Sequence, residues 1–207
     1  MYKYIIEFIG TFFLVLTVGL TAGFTDFAPI AIGVSLAVMV YMGGNISGAH
    51  YNPAVTLAIL MRGKIDMGNA LAYMASQIAG AVVAGAVAMF LKGDAFGAPA
   101  VGANVSVAQA LVNELLFTFA LASVVLNVAT TKKAEGNSYY GWAIGCTVLF
   151  AAFAGGGISG GAYNPAVGLG PNLIKGALGD VWIYLVGPFA GAALAAVIFK
   201  ITNPDEK

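Results

Sequence analysis

The segment ISGAHYNPAVTLA at positions 46–58 returns almost unchanged as ISGGAYNPAVGLG at 158–170, placing Asn52 and Asn164 112 positions apart. A second pair, EFIGTFFLVL at 7–16 and ELLFTFALAS at 114–123, recurs at an offset of 107. The chain is therefore written twice, over about 1–104 and 105–207 of one domain, and both copies must satisfy the same physics. That physics is set by water's absence: 60% of the residues are hydrophobic and 9% charged, against about 25% charged in a soluble domain. Such a chain belongs in a bilayer.

A spanning helix needs ~20 mostly apolar residues. Six stretches qualify, at about 4–24, 29–44, 67–91, 106–129, 139–157 and 181–201. The first could be taken for a signal peptide with Lys3 as its charged start. Glu7 interrupts it, however, and it exceeds the ~7–15 residues of such a core, so a retained helix is expected. Two shorter apolar stretches, near 53–62 and 165–174, each follow a Gly-rich loop. They are too short to span, and irregular backbone at membrane depth survives only inside protein or beside water. Both are read as re-entrant half-helices.

With the N-terminus in the cytoplasm, Lys3, Arg62, Lys64, Lys132, Lys133, Lys200 and Lys207 fall inside, and only Lys92 and Lys175 outside. Seven against two follows the positive-inside rule, and puts both termini in the cytoplasm of a multi-pass protein of the cell membrane. Three spans per copy is odd, so the second copy sits upside down in the membrane. Inverted repeats meeting at the midplane are a transport architecture. The fold class expected is all-α, with six transmembrane helices and two half-helices in an inverted repeat. Spacings such as Gly80…Ala84, Gly141…Gly145 and Gly187…Gly191 would let helices approach closely.

Each copy opens its short helix with Asn-Pro-Ala: Asn52, Pro53 and Ala54, then Asn164, Pro165 and Ala166. Proline suits the first helical turn, where its missing N–H is not needed. Asparagine caps the helix by accepting backbone N–H bonds through its oxygen. Its NH2 group is left as a donor pointing off the helix end. Two half-helices meeting head to head would aim two donors and two positive dipole ends at one point. A water or alcohol oxygen could accept both bonds, and a cation would be repelled. The loop residues Gly48, Ala49 and His50, and Gly160, Gly161 and Ala162, could turn carbonyls toward the path as a ladder of acceptors.

These residues resemble the aquaporin and glycerol-facilitator (major intrinsic protein) family over nearly the whole chain. The likeness rests on EFIGT in the first helix, SGAHYNPAVTLA in the first loop, NELLFTFAL in the fourth helix and GGAYNPAVGLGP in the second loop. It implies a homotetramer with one pore per subunit, and passive conduction of water or small neutral solutes without cofactor or metal. By the same resemblance Glu7 and Glu114 hold loop N–H groups, and His50 lines the pore.

One position departs from the family pattern, in which arginine follows the second triplet and forms part of the outer filter. Here it is Val167, matching Val55 in the first copy. Counting from the motifs, the other filter positions are Ile32, Ala152 and Gly161. Family water filters carry a histidine in the fifth helix, and glycerol filters carry aromatics with arginine. The expectation is therefore a wide, apolar outer ring that admits ammonia, urea or small polyols beside water. A wide apolar ring could instead dewet and act as a barrier. Proton exclusion should weaken without the fixed charge.

Two other classes remain open: a structural or junctional membrane protein of the same fold, and a secondary transporter. The latter would need buried coupling charges, and only Glu7 and Glu114 are candidates. Zero net charge offers no field for nucleic acid. There is no nucleophile–base pair, metal-ligand cluster or phosphate loop to support catalysis.

Overall fold

The computed structural model describes residues 1–206. Lys207, one of the charges assigned to the inside above, lies outside the described residues. Eight α-helices follow in order: α1 Tyr2–Thr21, α2 Ala28–Ser47, α3 Pro53–Met61, α4 Met67–Lys92, α5 Val107–Thr130, α6 Tyr140–Ser159, α7 Pro165–Lys175 and α8 Val181–Thr202. No strand occurs among the described residues. Six helices have the length and the mean hydropathy, 1.6 to 2.0, to cross a membrane. The exceptions are α3, with 9 residues, and α7, with 11. At ~1.5 Å per residue each reaches only about half of a ~30 Å hydrocarbon core.

An even number of crossings returns the chain to its starting side, here called the terminal face. By element order Lys3, Arg62, Lys64, Lys132, Lys133 and Lys200 belong to that face, and Lys92 and Lys175 to the opposite, outer face. The C-terminal tail is anchored there: Glu206 meets buried Arg62 at 3.4 Å and accepts the Lys132 backbone N–H at 3.0 Å. It thereby joins the end of α3 to the linker between the two copies.

Helices α2 and α6 run further than the apolar pattern suggested. The first continues through Gly43, Gly44 and Asn45 to Ser47, and the second through Gly155–Gly157 to Ser159. Glycine inside a helix costs about 1 kcal/mol relative to alanine, but close packing offsets it at Gly43 and Gly155. A methyl at Gly43 would overlap the hydroxyl of Tyr51. Each helix stops where Gly48 or Gly160 turns left-handed, at φ 87° and 88°.

The main packing pairs are α1 with α4, α5 with α8, and α2 with α6. Their crossings use the small residues that the spacing singled out. A Cβ on Gly80 would lie 2.5 Å from the Phe8 carbonyl oxygen, and one on Gly187 would lie 2.7 Å from Glu114 Cβ. Such contacts let backbones approach where lipid supplies no hydrophobic drive. The α2–α6 contact joins the two copies, so the central space lies between them. Outer loops are tied down by Gly97 N–H to Gly19 O (2.8 Å) and Gly102 N–H to Ile158 O (2.9 Å).

Candidate functional site

The two short helices begin as their triplets predict. Asn52 caps α3, its Oδ1 accepting from Ala54 N at 2.8 Å and Val55 N at 3.4 Å. Asn164 caps α7, accepting from Ala166 N at 2.9 Å. Prolines 53 and 165 occupy the first helical position. The amide nitrogens do something the sequence did not suggest. Asn52 Nδ2 donates to the Tyr163 carbonyl, and Asn164 Nδ2 donates to the Tyr51 carbonyl, each at 2.9 Å. An amide NH2 carries two hydrogens, so one N–H per asparagine remains for the space between the copies.

The accepting tyrosines are held in an unusual backbone. Tyr51 and Tyr163 have φ of 50° and 49°, a left-handed conformation that costs a bulky residue on the order of 1–3 kcal/mol. Their surroundings enforce it. Glu7 Oε2 accepts the Tyr51 N–H at 2.7 Å, and Glu114 Oε2 accepts that of Tyr163 at 2.6 Å. The phenols donate back to helix carbonyls, Tyr51 to Met39 and Tyr163 to Ala151, both at 2.9 Å.

Glu7 and Glu114 are wholly buried, at 0% exposure. Glu7 accepts four bonds, from the Ser47 hydroxyl, the His50 and Tyr51 N–H groups and Gln77 Nε2. Glu114 accepts three, from the Ser159 hydroxyl and the Ala162 and Tyr163 N–H groups. Both carboxylates bind loop backbone, and neither lines the central cavity. Gln77 also donates to Thr56 Oγ1 at 3.0 Å, and His50 Nδ1 lies 3.0 Å from the same oxygen. The second copy has no such extension. There Asn113 Nδ2 donates to Ser159 Oγ at 2.8 Å, while Tyr184 donates to Ser159 O at 2.6 Å just as Tyr73 donates to Ser47 O at 2.7 Å in the first copy.

Sequence reasoning passed over Ser47, Tyr51, Thr56, Gln77, Asn113, Ser159 and Tyr163. Signals for some were present: Ser47/Ser159 and Tyr51/Tyr163 sit inside the repeated motif, and Gln77 is an amide in the apolar middle of its helix. A polar group at membrane depth needs a partner.

A cavity passes between the copies and through the asparagine pair. Its lining is nine matched positions taken twice, identical in type except at Leu36/Val148, Ala49/Gly161 and His50/Ala162. Leu14 and Val18 of α1 match Leu121 and Val125 of α5. Ile32 and Leu36 of α2 match Ile144 and Val148 of α6, and the loop run from Ala49 to Asn52 matches Gly161 to Asn164. Val55 matches Val167. The only polar side chains among these residues are Asn52, Asn164, His50, Tyr51 and Tyr163, and the rest are apolar. About 30 Å³ within it is open to the centres of water-sized molecules, so water fits there. Branched Val and Ile side chains from α1, α2, α3, α5, α6 and α7 contribute to this apolar lining.

Of the residues proposed for the outer filter, Ile32, Gly161 and Val167 line the cavity. Ala152 does not; it stands one turn beyond Val148, at i+4 on the same helix face. The loop ladder is displaced by one residue from that expected. Gly48 lies in a pocket at the terminal-face mouth, and Gly160 backs onto Pro99 and Ala100 of an outer loop. Their left-handed turns, which end α2 and α6, take both out of the lining. His50 borders the cavity, and also a pocket beneath Lys3 and Lys64 with Tyr73 edge-on at 5.1 Å. Among the described residues no three His, Cys, Asp or Glu side chains gather as for a metal.

The comparison with family models matches residues 1–199 to the major intrinsic protein model. The chain belongs to the major intrinsic protein family. Relatives spread widely within it. Aquaporin NIP1-3 of Oryza sativa subsp. japonica is 39% identical, covering 99% of this chain and 75% of that protein. Glycerol uptake facilitator protein-like 6 of Lactiplantibacillus plantarum is 36% identical and covers the whole of both chains. Among solved structures, the aquaglyceroporin from Plasmodium falciparum superposes with a TM-score of 0.84 at 23% identity, over 98% of this chain and 97% of that one. At that identity the likeness speaks for the fold. As a member of this family the chain is an integral, multi-pass membrane protein, in a family of channels and not of enzymes.

Proposed function

We propose that this protein is a passive channel for water and small neutral solutes, with one pore per subunit of a homotetramer and both termini cytoplasmic. The observation that carries the proposal is the asparagine pair: each amide has one N–H committed to the opposite loop and one left for a narrow cavity otherwise lined mainly by hydrocarbon. A passing oxygen is met by two neutral donors and two helix N-terminal dipoles, which favour a lone pair and disfavour a cation. The inverted repeat, about 1–104 and 105–207, brings the two half-helices head to head. Asn52, Pro53, Ala54, Asn164, Pro165 and Ala166 form the centre. Glu7 and Glu114 serve as scaffold for the loops.

The relatives' names, aquaporin and glycerol uptake facilitator, support this class of permeant. Ammonia, urea and small polyols are the neutral solutes expected beside water. Reconstituted full-length protein should raise the osmotic water permeability of liposomes well above empty vesicles. The flux should not saturate and should ignore imposed ion gradients. No flux of water or ammonia overturns the channel proposal, and a flux that follows an ion gradient points to a transporter.

A further inference from the structure

The cavity's doubled lining has a consequence for selectivity. Helix α2 enters from the outer face, so Ile32, in its second turn, lies toward that face; α6 starts at the terminal face, so Ile144, in its second turn, lies toward the terminal face. Val18 stands near the outer end of α1, and Val125 near the terminal end of α5. Val55 and Val167 follow their asparagines by three residues, on half-helices that run to opposite faces. They are 2% and 3% exposed, closed in by their neighbours. Three of the four pairs are identical in type, and the fourth, Ala49 against Gly161, differs by one methyl.

We propose that the pore carries two equivalent apolar filters in series: an outer ring of Val18, Ile32, Gly161 and Val167, and an inner ring of Val125, Ile144, Ala49 and Val55. The asparagine pair lies between them. This rests on the channel function proposed above and assigns its size selection to both ends of the pore. Neither ring contains a charge or an aromatic side chain, so each selects by cross-section and by the cost of stripping water from a polar solute; beside the inner ring the lining also holds His50, where the outer side has Ala162. Two similar barriers in series add as resistances. Widening one leaves the other in control, so a single change raises flux by about twofold at most.

The test is glycerol and urea permeability of the full-length protein in proteoliposomes, per folded channel, with water permeability measured alongside. Val167→Ala and Val55→Ala alone should each raise glycerol flux by no more than about twofold. The combined Val55→Ala/Val167→Ala variant should raise it by about tenfold or more, since shaving a methyl pair from a tight site is worth that much. If either single variant gives the whole increase, or the double variant none, the two-filter proposal is overturned. Should the valine variants fail to assemble, Ile32→Val and Ile144→Val shave the same rings more gently and must show the same non-additive pattern. Absence of water flux in the unaltered protein would instead overturn the channel function, and the filters with it.

Discussion

The side-chain amide of Asn52 donates to the backbone carbonyl of Tyr163, 2.9 Å away and 111 positions along the chain. Asn164 returns the bond to Tyr51 at the same distance. Each helix cap therefore also fastens the two copies together. Replacing Asn52 with alanine removes a cap, worth about 0.5–2 kcal/mol, and strands a buried carbonyl, worth about 1–3 kcal/mol. Asn52→Ala and Asn164→Ala should each lower the unfolding temperature in detergent and sharply reduce water permeability. Loss of flux without loss of stability would contradict the fastening role.

The two buried acids differ in load. Each oxygen of Glu7 accepts two bonds, whereas one oxygen of Glu114 accepts only a single bond. A glutamine must set its NH2 against existing donors: two at position 7, and as few as one at position 114. Glu7→Gln should therefore destabilise more than Glu114→Gln, by about 1–3 kcal/mol for each bond turned repulsive. Thermal unfolding of the two variants in one detergent gives the order, and the reverse order refutes it.

Val167 stands in the outer ring with no charge beside it. A guanidinium there would narrow the cavity and would place a fixed positive charge in the path. Val167→Arg should lower water permeability several-fold and lower proton leak by more, since a charge at close range in a low-dielectric pore adds roughly a few kcal/mol to a cation's barrier. Stopped-flow water efflux and a pH-dye leak assay on the same vesicles measure the ratio. An unchanged ratio removes Val167 from the filter.

The buried guanidinium of Arg62 meets Glu206 at 3.4 Å and lies 5.0 Å from the Phe199 ring centroid. Its Nε already lacks a partner. Glu206→Ala would leave the cation with the ring alone and release the Lys132 backbone N–H, at a cost of about 1–3 kcal/mol. Limited proteolysis should then cut the 131–139 linker faster than in the unaltered protein. Equal rates would show that the tail does not restrain it.

Asp66 caps α4 at the terminal face, its carboxylate accepting from the Asn69 backbone N–H at 2.9 Å and from the Asn69 side chain. Those bonds, the backbone one first, hold its carboxyl below the ordinary 3.8. A carboxyl lowered by folding contributes stability that is complete above 3.8 and is lost as pH falls through the folded value. Asp66→Asn should flatten the acid limb of the stability profile below pH ~4. Because the group is fully exposed, the effect should also shrink in high salt.

Much of this molecule is local physics and was readable from the chain alone. Hydropathy determined the six spans, because each must satisfy lipid by itself. Length separated the two half-helices from them, and the Asn-Pro-Ala triplets determined where those begin, because a cap is decided within four residues. The repeat implied that the copies meet. What only the tertiary structure decided is how they meet. The crossed Asn–Tyr bonds, the left-handed tyrosines wedged beside Gly43 and Gly155, and the partners of Gln77 all join residues far apart in sequence. The lining of the cavity was decided there too. Ile32, Gly161 and Val167 share one space with their repeat counterparts Ile144, Ala49 and Val55, because packing between the copies, and not the local sequence, brings them together.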